Sequence, residues 1–251
     1  MICLGLPAVR CALIVSLAVS ATALATAAPD LIVVSEWTSK DVVVDGRIEE
    51  WSRLTALDKG PAVAVANDAE FLYLVISATD PGMRHTLQQG LVLWFDPTGT
   101  KKSNLGFQLP AMSHGRGFGP GSDEVDPDSA AARPSAIDEL DVLGPGQQRH
   151  LVPLNPALDL MAVSAGDRGT VVYEMKMPLE TSEAHPYAAK AKAGTSFALG
   201  IFTPEVPKMG SGGGGRMGGG YGGRGGGGRG GSGDVRTTPI KTWVKVQLAT
   251  H

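Results

Sequence analysis

Two segments of this sequence alternate so strictly that each fits one backbone conformation. In residues 170–177, Val171, Tyr173, Met175 and Met177 fall on one side, and Glu174 and Lys176 on the other. In residues 241–248, Thr242, Val244, Val246 and Leu248 alternate with Lys241, Trp243, Lys245 and Gln247. Side chains leave a strand on opposite faces in turn, so a two-residue period is the mark of a half-buried β-strand. Residues 91–96 repeat the pattern, with Leu91, Leu93 and Phe95 against Val92, Trp94 and Asp96.

The rest of the chain reads as more short strands with turn chemistry between them. Residues 62–66 and 71–78 flank Asn67-Asp68-Ala69-Glu70, and residues 158–164 and 170–177 flank Gly166-Asp167-Arg168-Gly169, each a hairpin pattern. Residues 41–44 run as a strand into the turn pair Asp45-Gly46, and residues 91–95 into Asp96-Pro97-Thr98-Gly99. Further strands are expected at 105–109, 140–143, 151–154 and 197–203. Only 48–54 and 183–191 have helical character, and both are short. About ten short strands predict an all-β sandwich or barrel.

The N-terminus bounds the compartment. Arg10 precedes an uncharged apolar run over residues 11–25, followed by Ala25-Thr26-Ala27. A positive start, a short apolar run and a small-x-small site make a secretory signal peptide over residues 1–27. The run is shorter than the ~20 residues of a membrane span. Residues 28–251 are then a single domain, periplasmic or secreted, with no membrane span once the signal is cleaved. Cys3 and Cys11 both fall in the signal, so the mature chain has neither disulfides nor a thiolate nucleophile. Losing Arg10 moves the formal charge from −3 to −4, a mild value that calls for no nucleic-acid or membrane-surface partner.

Two stretches stand apart. Residues 112–134, rich in Gly and then in Asp and Glu, read as a long exposed loop. In residues 210–233, seventeen of 24 are Gly, half of the 34 in the chain. Such a tract buries too little apolar surface to offset its ordering entropy, and it reads as a disordered insert. Arg216, Arg224 and Arg229 with Tyr221 give it the look of RNA-binding arginine-glycine repeats, but three charges release few counterions and the signal takes the chain away from RNA.

At this point a family resemblance emerges. Val44-Asp45-Gly46-Arg47-Ile48-Glu49-Glu50-Trp51 resembles the opening of the family 9 carbohydrate-binding modules. Val65-Ala66-Asn67-Asp68 with Phe71-Leu72-Tyr73-Leu74, closing at Asp80, resembles their next hairpin. Leu93-Trp94-Phe95-Asp96-Pro97 and Tyr173-Glu174-Met175-Lys176-Met177-Pro178-Leu179 resemble later strands. The chain also looks like secreted bacterial proteins with a Gly-rich insert before a final Trp-containing strand, and like DOMON-type domains. The resemblance implies an immunoglobulin-like or jelly-roll-like antiparallel β-sandwich. It also implies a non-catalytic module that binds a glycan through paired aromatic side chains, with structural calcium in some members.

Little in the residues argues for catalysis. His85, His114, His150, His185 and His251 share no metal-ligand spacing, and no G-x-S-x-G is present. Gly115-Arg116-Gly117-Phe118-Gly119 lacks the strand, helix and Lys-Ser/Thr of a phosphate loop. Glu49 with Glu50, and Asp138 with Glu139, read as solvated turns rather than a glycosidase pair. Asp123-Glu124-Val125-Asp126-Pro127-Asp128 offers oxygen ligands for calcium without the Gly and distal Glu of an EF-hand. Trp94, Asp96, Trp243 and Lys245 are the candidate ligand-binding residues, because both tryptophans share an outward face with charge. Two other readings stay open: an envelope interaction protein with no small ligand, and a haem-type sandwich drawing on Met83, His85 and Met112.

Overall fold

The computed structural model describes residues 31–112, 134–145, 148–154, 159–166, 169–204 and 239–251. The signal sequence, the acidic run at 123–128 and the Gly tract at 210–233 lie outside the described residues. The fold is an all-β sandwich of two sheets. The strands are β1 (Ile32–Val34), β2 (Glu36–Trp37), β3 (Thr55–Ala56), β4 (Ala62–Asn67), β5 (Phe71–Ala78), β6 (Leu91–Asp96) and β7 (Leu105–Leu109). They continue with β8 (Ser135–Ala136), β9 (Glu139–Leu143), β10 (Arg149–Pro153), β11 (Met161–Gly166), β12 (Val171–Pro178), β13 (Ser196–Phe202) and β14 (Lys241–Gln247). One sheet runs β1-β14-β13-β6-β7-β9-β10 and the other β2-β4-β5-β12-β11-β8, with β3 added against β4.

The pairing is antiparallel except where β1 meets β14 and β2 meets β4. Both exceptions come from one extended segment that changes sheets at Ser35. The buried crossing is held by polar groups. Ser35 donates to Asn67 Oδ1, and the Ala249 N–H donates to Ser35 Oγ at 2.7 Å and to Asn67 Oδ1 at 2.9 Å. Buried polar atoms that lack partners are costly, so this cluster fixes the first strand pair and the C-terminus together.

The alternating residues meet between the sheets. Leu91, Leu93, Phe95, Phe197, Leu199, Val244 and Val246 face Leu72, Leu74, Ile76, Val171, Met175 and Met177 in one core. Phe95 is edge-on to Phe107 and stacked on Phe197, with centroids 5.7 and 6.0 Å apart. The hairpins expected around Asn67–Glu70 and Gly166–Gly169 are the β4–β5 and β11–β12 pairs.

Local readings that differ have physical reasons. Residues 41–44 form no strand, and neither 48–54 nor 183–191 is helical. Among the described residues the one helix, α1 (Pro81–Gln88), starts where Asp80 accepts from the Met83 N–H at 2.9 Å and Pro81 opens the first turn. An Asp cap followed by Pro is a helix-start signal.

Residues 45–54 lie across the outer face of the second sheet instead. Ile48, Trp51 and Leu54 pack on a separate cluster of Ala64, Val75, Ala165 and Val172. Gly46 is the pivot of this crossing. Its φ is +78°, and a Cβ there would fall 2.8 Å from Ala165 Cβ and 3.2 Å from Val163 Cγ1. Gly46→Ala is expected to cost about 2–4 kcal/mol, from left-handed strain plus overpacking against β11. Urea unfolding measures it; a cost below about 1 kcal/mol would mean that the turn is not pinned to β11.

Candidate functional site

The outer face of the first sheet carries a row of alternating tryptophan and glycine. On β14, β13, β6 and β7 in turn, the register aligns Trp243 with Gly200, Gly200 with Trp94, and Trp94 with Gly106. Each tryptophan leans over the glycine beside it. A Cβ on Gly200 would fall 3.0 Å from Trp243 Cη2 and Cζ3, and a Cβ on Gly106 would fall 2.7 Å from Trp94 Cε3. Both indoles therefore shift one strand in the same direction, and their spacing stays near two strand separations, about 9–10 Å. Both are part exposed, as is Phe202, which meets Trp243 edge-on with centroids 5.6 Å apart. Val92 is paired with Phe202 on the same face, two residues along from the Trp94–Gly200 pair.

Trp94 and Trp243 thus lie on strands separated by β13, and the missing side chain of Gly200 joins them into one surface. The sequence reading did not single out Gly106, Gly200 or Phe202. Their signal is the alternation itself, because Gly106 with Gln108, and Ala198 with Gly200 and Phe202, are outward positions of otherwise apolar strands.

Lys245 is exposed on the same face as Trp243, and so is Lys241, whose Nζ lies 5.7 Å from the Phe202 ring centroid. Asp96 corrects the expectation of a presented carboxylate. It is fully buried, and both oxygens are engaged within its own turn. Its Oδ1 accepts from the Thr98 N–H at 3.0 Å and the Thr98 hydroxyl at 2.6 Å. Its Oδ2 accepts from the Lys102 N–H at 2.9 Å and the Thr100 hydroxyl at 3.1 Å. Burial alone would raise its pKa, but the hydrogen bonds from Thr98, Lys102 and Thr100 outweigh it and bring the pKa down to about 2. Asp96 is therefore an organiser of the β6–β7 turn, with no lone pair aimed at a ligand.

A second outward carboxylate is also covered. Glu174 points outward from β12, yet it is buried under residues 45–54. Its Oε2 accepts from the Asp45 and Gly46 N–H groups at 2.9 and 2.8 Å, and its Oε1 from Trp51 Nε1 at 3.0 Å. Burial raises its pKa to about 7, against the pull of those three donors and with help from nearby Glu50. All of its bonds are internal, so it locks the Asp-Gly turn and Trp51 onto the sheet.

The remaining candidates are dispersed. Met83 and Met112 pack against the core rim, and His150 hydrogen-bonds Tyr187 at 3.1 Å. Among the described residues, no group of three or more His, Cys, Asp or Glu is placed to hold a metal ion, and no helix is long and apolar enough to cross a membrane.

No family model matches the sequence, and no curated protein matches it. Among solved structures, a family 9 carbohydrate-binding module from Caldicellulosiruptor kristjanssonii in complex with glucose is similar at 9% identity and TM-score 0.39, over 88% of this chain and 96% of that one. The same organism's module in complex with cellotriose is similar at 10% identity and TM-score 0.37, over 88% and 94%.

Proposed function

We propose that this protein is a non-catalytic glycan-binding module whose ligand lies on the outer face of the first sheet. The observation that carries this reading is the Trp243–Gly200–Trp94–Gly106 row, which sets two part-exposed indoles side by side on a rigid sheet. A pyranose ring has an apolar C–H face and polar edges. An indole matches the face, and the lysines of β14 match the edges. Four hydrogen-bonded strands hold the indoles, so little side-chain entropy is lost when a ligand docks.

Titration of the protein with cello-, xylo- and manno-oligosaccharides, followed by tryptophan fluorescence, tests this. The expected result is a saturable change in emission with at least one series. That change should disappear in the Trp94→Phe/Trp243→Phe variant, because Trp37 and Trp51 lie off the platform. A flat emission with every glycan tried, the acidic ones below included, would overturn the reading.

A further inference from the structure

The charge around the indoles narrows the class of glycan. Lys241 and Lys245 flank Trp243 on β14, two residues to either side, about 7 Å along the strand. Both are exposed on the face that carries the indoles. Among the described residues, neither has a carboxylate within ion-pair distance, whereas pairs such as Arg149–Asp141 and Lys192–Glu180 form elsewhere. Of the acidic groups on the same face, Asp141 is paired with Arg149, Asp96 is buried in its own turn, and Glu139 is exposed on β9, four strands away from β14. The β14 side of the platform is therefore positive on a chain whose net charge is −3.

Resting on the platform reading above, we infer that the glycan is acidic, an oligosaccharide bearing carboxylate or sulfate groups. The indoles would take the C–H faces of its rings. The two ammonium groups, on flexible stems that reach past the ring edges, would take the anionic substituents.

The test is calorimetric titration of the full mature chain with hexagalacturonate, a chondroitin sulfate hexasaccharide and cellohexaose, at about 0.05 and 0.5 M salt. Either acidic probe is expected to bind at least tenfold more tightly than cellohexaose at low salt. The margin should shrink at high salt, where the screening length falls to a few ångströms. Lys241→Gln/Lys245→Gln should cut binding of the acidic probe at least tenfold more than any binding of cellohexaose, whose uncharged ring edges a glutamine amide can still meet. Binding by hexagalacturonate alone assigns carboxylate recognition, and by the sulfated probe alone sulfate recognition; either supports the inference. Equal binding of cellohexaose and the acidic probes, untouched by the lysine changes, would overturn the inference and keep the platform. Acidic binding that survives Trp94→Ala/Trp243→Ala would overturn both, since attraction by charge alone would explain it. Absence of binding by all three probes would also sink the inference, and the neutral panel then decides the platform separately.

Discussion

Glu174→Ala is expected to lower stability by about 4 kcal/mol or more, because it strands the Asp45, Gly46 and Trp51 N–H groups beneath residues 45–54. Removing one partner from a buried network costs the desolvation of everything left behind, here three donors. Glu174→Gln should cost less, about 1–2 kcal/mol. Its carbonyl oxygen can serve the two backbone donors, while its amide N–H₂ faces the Trp51 indole N–H, donor to donor. The wild type should also show a pH signature. The folded carboxyl titrates at about 7 and the ordinary value is 4.5, so the folded state holds the proton more tightly than the unfolded chain. That contribution is fully present below 4.5 and is lost as pH rises through about 7, up to about 3 kcal/mol in all. Asp96 acts in the opposite sense. Its pKa falls from 3.8 to about 2, so its contribution is present above 3.8 and is lost as pH drops toward 2. Urea midpoints across pH should peak at mildly acidic pH, and Glu174→Gln should flatten the neutral limb. A neutral limb unchanged by Glu174→Gln would remove Glu174 as its cause.

Trp94→Ala/Trp243→Ala is expected to abolish glycan binding while lowering stability by only about 1–2 kcal/mol per site. A part-exposed indole over glycine leaves a shallow surface groove when removed. A fully buried aromatic leaves a cavity and costs about 3–5 kcal/mol. The binding loss should be the larger effect, since stacked aromatic anchors dominate interfaces of this kind at about 2 kcal/mol or more each. Gly106→Ala separates contact from placement. It keeps both tryptophans but puts a Cβ 2.7 Å from the Trp94 ring, which must then lift from β7. Affinity should fall at least tenfold with the indole still present. Melting curves alongside titration decide the matter; losses above about 3 kcal/mol for each tryptophan would mean that the indoles serve the fold rather than a ligand.

The fold was legible because its strands are amphipathic in a simple way. Leu91, Leu93 and Phe95, Val171 to Met177, and Val244 with Val246 each put every second side chain into one core. The outward tryptophans followed from the same alternation. What the period does not contain is which outward positions are covered again. Asp96 and Glu174 alternate as solvent-facing carboxylates, yet a six-residue turn closes over one and residues 45–54 close over the other. For Asp96 the covering is local, made by Thr98, Thr100 and Lys102, whereas for Glu174 it depends on segments more than 100 positions apart, which no local pattern encodes. Strand order escapes for the same reason. Trp94 and Trp243 become neighbours only because β13, with its Gly200, pairs with both β6 and β14.

The four tryptophans give the platform its most direct test, because two lie on it and two do not. Trp51 is tied to Glu174, and Trp37 sits on β2 of the second sheet with its ring edge-on to His251 at 5.5 Å. In an amide-proton NMR titration with a glycan that binds, the indole N–H resonances of Trp94 and Trp243 should shift together along one saturation curve, while those of Trp37 and Trp51 stay in place. Movement of Trp37 or Trp51 with Trp94 and Trp243 unmoved would place the ligand elsewhere and contradict the account.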